Sequence, residues 1–272
     1  MKCRSFNSVY LKDGKIVKLP LTEYGKYIHQ HELNFYKKVV NLDLFPRVYN
    51  YDSLTLEYLD GYVHFSGSNI DIVIEKLDIL HQMHRRHVTL DEYIKQIKLE
   101  TIDKIVSRLC SVPFFEYVNG VKVISLEEAL KKFTFRLNTY VPDKLEFCLI
   151  HGDLNFGNIL VKNNDIKFID PRGYFGELHD GTGPKEYDTA KLYFSLSGYD
   201  SFYETSDFDY TSYESSIEFT MSPVDDSRFH RDDFETALMV TIWLAASKYL
   251  EHEPKKMVAS YYYGLYLATK YL

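Results

Sequence analysis

Residues Leu149–Gly173 read LIHGDLNFGNILVKNNDIKFIDPRG, and this stretch carries the clearest structural signal in the chain. Two apolar runs, Asn158–Val161 and Ile166–Ile169, flank the turn-forming residues Lys162–Asp165. Short runs rich in β-branched residues on both sides of such a turn are typical of a β-hairpin. The stretch therefore predicts two paired strands.

Polar side chains lie at the open end of this predicted hairpin. His151, Asp153 and Asn158 precede or open the first strand, and Asp170 ends the second. The pairing brings two carboxylates and a carboxamide to one edge of a small sheet, and hard cations such as Mg²⁺ prefer oxygen ligands of this kind. We interpret the hairpin as a site that holds a magnesium-bound nucleotide and transfers phosphate.

The composition is that of a soluble globular protein and narrows the choice of partner. The chain has 272 residues, of which 45% are hydrophobic and 26% charged, enough for one large domain or two modest ones. A formal net charge of −7 argues against nucleic acid, whose binders present a basic face. We expect no nucleic-acid partner and a neutral or cationic small substrate. The oligomeric state is left open.

Cysteine usage and hydropathy bear on location. Cys3, Cys110 and Cys148 are odd in number and far apart, which favours neither a disulfide framework nor a zinc site. The first residues lack the apolar core of a signal peptide, and the longest apolar run, Ala237–Ala246, is too short to span a bilayer. We therefore expect a cytoplasmic protein without a membrane segment.

The first 60 residues predict a β-rich segment with one helix. The expected elements are strands Ser8–Lys12 and Lys15–Leu19 around an Asp13-Gly14 turn, a helix from Glu23 to Val40, and strands Arg47–Tyr51 and Leu54–Leu59. Lys18 can grip phosphate oxygens, and Glu32 can face it from the helix. Taken alone, a strand lysine is equally well explained as a solvated residue, and a helix glutamate is in most cases a surface residue.

Helical periodicity dominates after a break at Asp60-Gly61. The expected helices are one after Asn69, a second over Leu90–Leu109, a third from the capping box at Ser125, a fourth over Tyr187–Leu196, a fifth from Asp232 and a last one from Pro254. We predict an α+β, bilobal chain, with a small β-rich N-terminal lobe over residues 1–60 and a larger, mainly helical C-terminal lobe over residues 61–272.

The spacing of the central motif resembles that of a known superfamily. His151, Asp153 and Asn158 fit the H-x-D-x-x-x-x-N pattern of a kinase catalytic loop, and Asp170 follows where that superfamily has its metal-binding aspartate. With Gly152 in place of the protein-kinase arginine, the loop resembles the aminoglycoside phosphotransferase and choline kinase family of small-molecule kinases. This resemblance implies a protein-kinase-like fold and an enzyme that uses ATP or GTP with Mg²⁺.

The resemblance also implies a role for each matching residue. Asp153 would orient the acceptor hydroxyl or accept its proton. The nucleotide side would use six residues, namely Lys18 on the phosphates, Glu32 paired with that lysine, the backbone of Glu57 and Leu59 at the base, and Asn158 and Asp170 on Mg²⁺. His151 and Asp188 are expected to brace the loop by hydrogen bonds.

Three features depart from the family pattern. The nucleotide loop, Arg4–Ser8, contains no glycine, and Pro171 stiffens the segment after Asp170. Arg172 has no general counterpart; it can bind an anionic group of the substrate or pair with a local acid such as Glu177. Ile-Asp-Pro-Arg-Gly is similar to a sequence in proteins of bacterial surface-polysaccharide loci, which hints at the substrate.

The sequence leaves alternative functions open, both for the whole chain and for two groups of residues. A catalytically silent nucleotide-binding pseudokinase scaffold would keep the cleft without turnover, and a protein kinase would need an activation segment that the chain lacks. His81, His84 and His87 suggest a metal site or a solvated helix end. The aromatic and acidic segment 199–218 suggests an ammonium or sugar site, or ordinary hairpin packing.

The expected activity is transfer of the nucleotide γ-phosphate to a hydroxyl of a sugar, amino alcohol or aminoglycoside.

Overall fold

The structure is a computed structural model that describes residues 6–109, 111–221 and 226–272. Cys3 and Cys110, as well as Arg4 and Ser5 of the predicted nucleotide loop, lie outside these ranges. Contacts divide the chain into two compact units. The first runs to Arg86 and resumes over Phe147–Asp188, and the second comprises His87–Glu146 and Thr189–Leu272. The lobe boundary expected near Gly61 stays a prediction.

The secondary structure alternates short strands with helices along the described chain. The strands are β1 Asn7–Lys12, β2 Lys15–Pro20, β3 Val48–Asn50, β4 Thr55–Glu57, β5 Val63–His64, β6 Arg86–His87, β7 Tyr117–Val118, β8 Val121–Lys122, β9 Glu146–Leu149, β10 Ile159–Lys162, β11 Asp165–Phe168, β12 Thr182–Gly183, β13 Thr211–Tyr213 and β14 Ser216–Glu218. The helices are α1 Glu23–Lys38, α2 Ile70–His81, α3 Leu90–Lys98, α4 Lys104–Ser107, α5 Leu126–Thr139, α6 Lys185–Leu196, α7 Tyr199–Glu204, α8 Phe234–Ala246 and α9 Pro254–Tyr271.

The first unit opens with an antiparallel sheet in the order β1-β2-β4-β3. Asp13 and Gly14 join β1 to β2 with φ angles of 50° and 69°, the left-handed pair that a two-residue hairpin turn requires. Helix α1 follows β2, and the side chain of Thr22 caps it by accepting the N–H of Gly25 at 3.0 Å. The hairpin and the helix expected at the start of the chain are confirmed.

The central hairpin pairs β10 with β11 in the register Ile159 to Phe168 and Lys162 to Asp165, and β5 adds a third strand beside β10. One detail of the prediction is wrong, because Asn158 does not open the strand. It ends a 3₁₀ turn over Phe156–Asn158, in which its N–H donates to the carbonyl of Asn155 at 3.0 Å. This local bond turns the chain just before pairing begins.

The second unit is mainly helical around one large aromatic side chain. Trp243 on α8 is fully buried, and its indole N–H donates to the hydroxyl of Ser197 at 2.6 Å.

The helix predicted over 90–109 is interrupted by a π-helical turn, Leu99–Asp103, for which the structure offers no single cause. The segment 199–218 is α7 followed by the β13–β14 hairpin, which belongs to a sheet in the order β13-β14-β7-β8.

Hydropathy within the described ranges gives no membrane-spanning segment. None of the helices there is both long and apolar enough to cross a bilayer.

Candidate functional site

A buried lysine joins three elements of the first unit. Lys18 on β2 is 7% exposed, and its Nζ donates both to Oε1 of Glu32 on α1 and to Oδ1 of Asp170, just after β11. Burial by itself would lower the pKa of Lys18, but the carboxylates of Asp170 and Glu32 raise it more, so the net shift is upward. The lysine is therefore a permanent positive charge beside two carboxylates.

The segment after β11 is fixed on both sides. Asp170 has a φ of 58°, a left-handed conformation that is uncommon outside glycine, and the N–H of Ile169 donates to the carbonyl of Asn158 at 3.0 Å. At Gly173, where φ is 72°, an added Cβ would lie 2.3 Å from the carbonyl oxygen of His31. Only glycine lets this segment pack directly on α1, next to Glu32.

The loop before β10 brings Asp153 and Asn158 together. The Nδ2 of Asn158 donates to the backbone carbonyl of Asp153 at 2.7 Å and contacts its Oδ2 at 3.4 Å. Asn158 is buried, whereas Asp153 is half-buried. Because the amide nitrogen faces the loop, Oδ1 is the end of Asn158 that can act as a ligand.

Asp188 holds the backbone of the same loop. Its Oδ2 accepts the N–H of His151 at 2.8 Å and contacts Nε2 of His81 at 3.1 Å, while its Oδ1 accepts the N–H of Gly152 at 2.8 Å. Asp188 and His151 are fully buried. These contacts are what the expected bracing by His151 and Asp188 requires.

His151 links the loop to the end of β11. Its Nε2 lies 2.9 Å from the carbonyl of Ile169, and its Nδ1 accepts the N–H of Asp153 at 3.3 Å. These partners assign the proton of a neutral ring to Nε2. Burial lowers the pKa of His151, although Asp188 and Asp153 oppose that shift, so the ring stays neutral.

The histidines near α2 belong to no cluster suited to a metal ion within the described residues. His81 is buried against Asp188, contrary to the expectation of a solvated helix end, whereas His84 and His87 are exposed as expected. No cluster of three or more His, Cys, Asp or Glu side chains suited to a metal ion occurs among the described residues. Asn158 and Asp170 instead offer one amide oxygen and one carboxylate, hard donors that fit Mg²⁺ when phosphate oxygens complete its shell.

Glu57 and Leu59 lie at and after the end of β4. The N–H of Glu57 donates to the carbonyl of Arg47 at 2.8 Å, and the N–H of Arg47 donates to Oε2 of Glu57 at 3.1 Å rather than to its carbonyl. Beyond the strand, the N–H of Tyr62 donates to the carbonyl of Leu59 at 3.3 Å. The end of β4 therefore presents backbone groups outside the regular ladder.

Arg172 lies next to the loop that carries Asp153. Its N–H donates to the carbonyl of His151 at 2.8 Å, and its guanidinium carbon is 4.1 Å from the centre of the Tyr174 ring. A Cβ at Gly152 would be 3.1 Å from the Cβ of Arg172. The arginine thus sits against the position at which this chain has glycine.

Sequence reasoning missed Tyr36, which is 1% exposed on α1. Burial raises the pKa of its hydroxyl well above the usual range, although the charge of Lys18 opposes that shift. The available signal was its spacing, because a residue four positions after Glu32 lies on the same helix face. Tyr36 adds a neutral, apolar wall beside the lysine.

Comparison with known proteins gives matches at the level of structure. No protein-family model and no curated protein sequence matches the chain. The choline kinase LicA from Streptococcus pneumoniae superposes with a TM-score of 0.58 at 13% identity, covering 100% of this chain and 92% of LicA. The chain has a protein-kinase-like fold. LicA in complex with AMP matches with a TM-score of 0.53 at 14% identity, covering 99% and 89%.

Two further kinases show the same fold. A choline/ethanolamine kinase family protein from Mesorhizobium loti gives a TM-score of 0.58 at 11% identity, covering 97% of this chain and 86% of its own. An ethanolamine kinase from Plasmodium vivax gives 0.55 at 13% identity, covering 97% and 82%. These likenesses establish the expected α+β, bilobal, protein-kinase-like fold.

Proposed function

We propose that this protein is a small-molecule kinase that transfers the γ-phosphate of ATP to a hydroxyl group. The observation that carries the proposal is the contact of Lys18 Nζ with both Glu32 and Asp170. It places a cation next to a carboxylate at the open end of the hairpin, near Asn158 and its partner Asp153. A phosphate-binding lysine, two metal ligands and a carboxylate for the acceptor are the parts that phosphoryl transfer needs.

Asp153 takes the acceptor side of the reaction. A bond forms between the acceptor oxygen and the γ-phosphorus, the bond from that phosphorus to the β–γ bridging oxygen breaks, and the acceptor proton passes to Asp153. Because the transition state is loose, orienting the hydroxyl matters more than the basicity of the carboxylate. The bond between Asn158 and the carbonyl of Asp153 keeps the loop in place for this task.

Lys18, Asn158 and Asp170 take the nucleotide side. When bound, Mg²⁺ neutralises charge that develops on the phosphate oxygens. Asn158 and Asp170 would hold it, and Lys18 would bind phosphate oxygens while Glu32 keeps the lysine in place. Since Asp170 contacts Lys18 in this structure, metal binding would require Asp170 to share its oxygens between the lysine and the ion.

The base is expected to meet the backbone of Glu57 and Leu59. A carbonyl at Glu57 followed by an N–H at Leu59 offers an acceptor and then a donor. Adenine has an amino donor where guanine has the O6 acceptor, so this order favours ATP over GTP. The N–H of Arg47 bonds to the side chain of Glu57 instead of its carbonyl, which supports this use of the carbonyl.

The acceptor is the finer part of the proposal. Amino alcohols come first, because proteins named choline and ethanolamine kinases share this fold, followed by sugars and aminoglycosides. Arg172, beside the loop of Asp153, would bind an anionic group if the acceptor carries one. A role in bacterial surface-polysaccharide metabolism, a cytoplasmic location and a nucleotide-binding lobe over residues 1–60 belong to the same proposal.

The test is a nucleotide-consumption screen with ATP and GTP against choline-like alcohols, sugars and aminoglycosides. We expect release of the nucleoside diphosphate that depends on one acceptor class and is faster with ATP than with GTP. Asp153→Asn should remove it. Nucleotide binding without turnover for every acceptor would instead favour the catalytically silent pseudokinase scaffold, and phosphorylation of peptides alone would favour a protein kinase.

A further inference from the structure

The closed end of the central hairpin holds the segment that follows β4. We call Tyr58–Tyr62 the linker. The Nζ of Lys162, the last residue of β10, donates to the carbonyl of Asp60 at 2.9 Å. On the other side of the same turn, the carboxylate of Asp165 accepts the hydroxyl of Tyr62. Two side chains of one turn therefore hold two points of the linker.

The pairing of β5 with β10 extends the contact between the linker and the hairpin. Val63 pairs with Val161 and His64 with Leu160, so the antiparallel register carries Tyr62 to Lys162. The Nζ of Lys162 is 5.8 Å from the centre of the Tyr62 ring. It would also lie 3.2 Å from a Cβ at Gly61, so the lysine lies across the glycine. The side chain covers the linker as well as bonding to it.

The linker is itself a tight turn. The N–H of Asp60 donates to the carbonyl of Tyr58 at 3.1 Å, and the N–H of Tyr62 donates to the carbonyl of Leu59 at 3.3 Å. The hydrogen bond to Asp165 raises the pKa of Tyr62 to about 12, so the hydroxyl remains a donor throughout the neutral range. Fixing Asp60 and Tyr62 fixes the peptide groups on either side of Leu59 in this turn.

We propose that Lys162 and Asp165 are positioning residues for the nucleotide, because they hold the linker so that Leu59 presents its N–H to the base. The inference rests on the proposed function. The open end of the same hairpin carries Asn158 and Asp170, and four residues of strand extend about 13 Å. One rigid hairpin thus sets the separation between the base-contacting linker and the metal ligands.

The first measurement is hydrogen exchange of the linker amides without nucleotide, which does not depend on activity. Lys162→Met should speed exchange over residues 58–62 several-fold, and Lys162→Arg should restore it because arginine keeps the donor. Tyr62→Phe, which removes only the hydroxyl, should act in the same direction. The matched control is Lys131→Met, at an exposed lysine on α5, and it should leave linker exchange unchanged.

The second measurement is nucleotide affinity and turnover. Loss of the hydrogen bond to Asp60 should weaken ATP binding about 5- to 10-fold, the size of a typical net intramolecular hydrogen bond. The KM of the acceptor should stay constant and kcat should change less than about twofold, since the metal ligands and Asp153 are untouched.

Unchanged linker exchange in Lys162→Met, or faster exchange with unchanged ATP affinity, would overturn this inference while leaving the kinase assignment intact. An equal increase in the hydrogen exchange of the linker amides in Lys131→Met would also overturn the inference. Failure of the wild-type protein to bind any nucleotide would overturn the proposed function and, with it, the inference.

Discussion

The side-chain nitrogen of Asn158 donates to the backbone carbonyl of Asp153 at 2.7 Å. The bond ties the backbone of the residue whose carboxylate is proposed for the acceptor to the amide proposed for the metal. It also orients the amide, because the end opposite the nitrogen is the oxygen that a hard cation would use. Under the proposed function Asn158 would have two tasks, and a substitution there should disturb both.

We predict that Asn158→Ala lowers turnover about 100-fold or more, the scale seen when one preorganised electrostatic group is removed from an active site. The Mg²⁺ concentration needed for half-maximal turnover should rise as well. Asn155→Ala is the matched control, since Asn155 makes no capping hydrogen bond with its side chain and its backbone carbonyl is kept. Steady-state turnover across a magnesium series measures both, and a change of less than threefold in Asn158→Ala would contradict the assignment.

Lys18→Met should damage stability and nucleotide binding together. Removing one partner of a buried ion pair costs about 3–5 kcal/mol of unfolding free energy. We expect the lower end, because the side chain of Asp170 is 48% exposed whereas that of Glu32 is 6% exposed. Urea unfolding measures the loss.

The double variant Lys18→Met/Glu32→Gln separates the two roles of the lysine. It no longer buries a carboxylate at position 32 that has lost its lysine, so much of the stability should return, but ATP binding should not. Wild-type ATP affinity in either variant would contradict a phosphate-binding role for Lys18.

Gly173→Ala and Gly14→Ala form a matched pair. Both glycines have left-handed φ angles, 72° and 69°, but a Cβ would meet the His31 carbonyl at 2.3 Å in the first case and nothing within 4 Å in the second. Gly14→Ala should cost about 1 kcal/mol, the conformational term alone. Gly173→Ala should cost several times more in chemical denaturation and weaken ATP binding, because the segment after Asp170 must move off α1. Equal destabilisation would show that the close contact with α1 is unimportant.

Acid should destabilise the protein through His151. Burial lowers the pKa of His151 in the folded state, while in the unfolded state it is near 6.5. Below about pH 6.5 the unfolded chain binds a proton that the folded chain does not, so the free energy of unfolding falls as pH falls, by up to about 1.4 kcal/mol per pH unit. His29 and His31, whose pKa is also lowered by burial, add slopes of the same sign.

The variant His151→Asn isolates the contribution of that histidine. Its stability should depend less steeply on pH between about 5 and 6.5 than that of the wild type, as measured by urea unfolding at a series of pH values. Identical slopes would mean that His151 is protonated to the same extent in both states.

Local sequence chemistry predicted many of the elements correctly. The Asp13-Gly14 turn, the Ser125 cap, which accepts the N–H of Glu128 at 3.1 Å, and the start of α9 at Pro254 each follow from residues within one turn. The 3₁₀ turn at Asn158 was missed because a single hydrogen bond to Asn155 decided it. Two-residue strands such as β5 and β12 were missed because their pairing partners, β10 and β9, are distant in sequence.

The site shows the same limit. Lys18 and Asp170 are 152 residues apart, and nothing in periodicity links them. The motif resemblance assigned both residues to one nucleotide site, but it did not predict their direct contact. The contact of His81 with Asp188, across 107 residues, was not expected, because each residue alone is explained as part of a helix end. Long-range hydrogen bonds between buried polar groups depend on how the chain folds, so they cannot be predicted from local sequence. The spacing of the catalytic-loop motif, by contrast, is visible in the sequence itself.

Transfer of a labelled γ-phosphate from ATP to an acceptor hydroxyl tests the central claim most directly. We predict labelled acceptor with the wild-type protein and no detectable label with Asp153→Asn, although that variant should still bind ATP with an affinity within a few-fold of the wild type. Labelled acceptor formed at the wild-type rate by Asp153→Asn would contradict the role of Asp153. No label in any alcohol, sugar or aminoglycoside, despite tight ATP binding, would contradict the claim that this protein is a kinase.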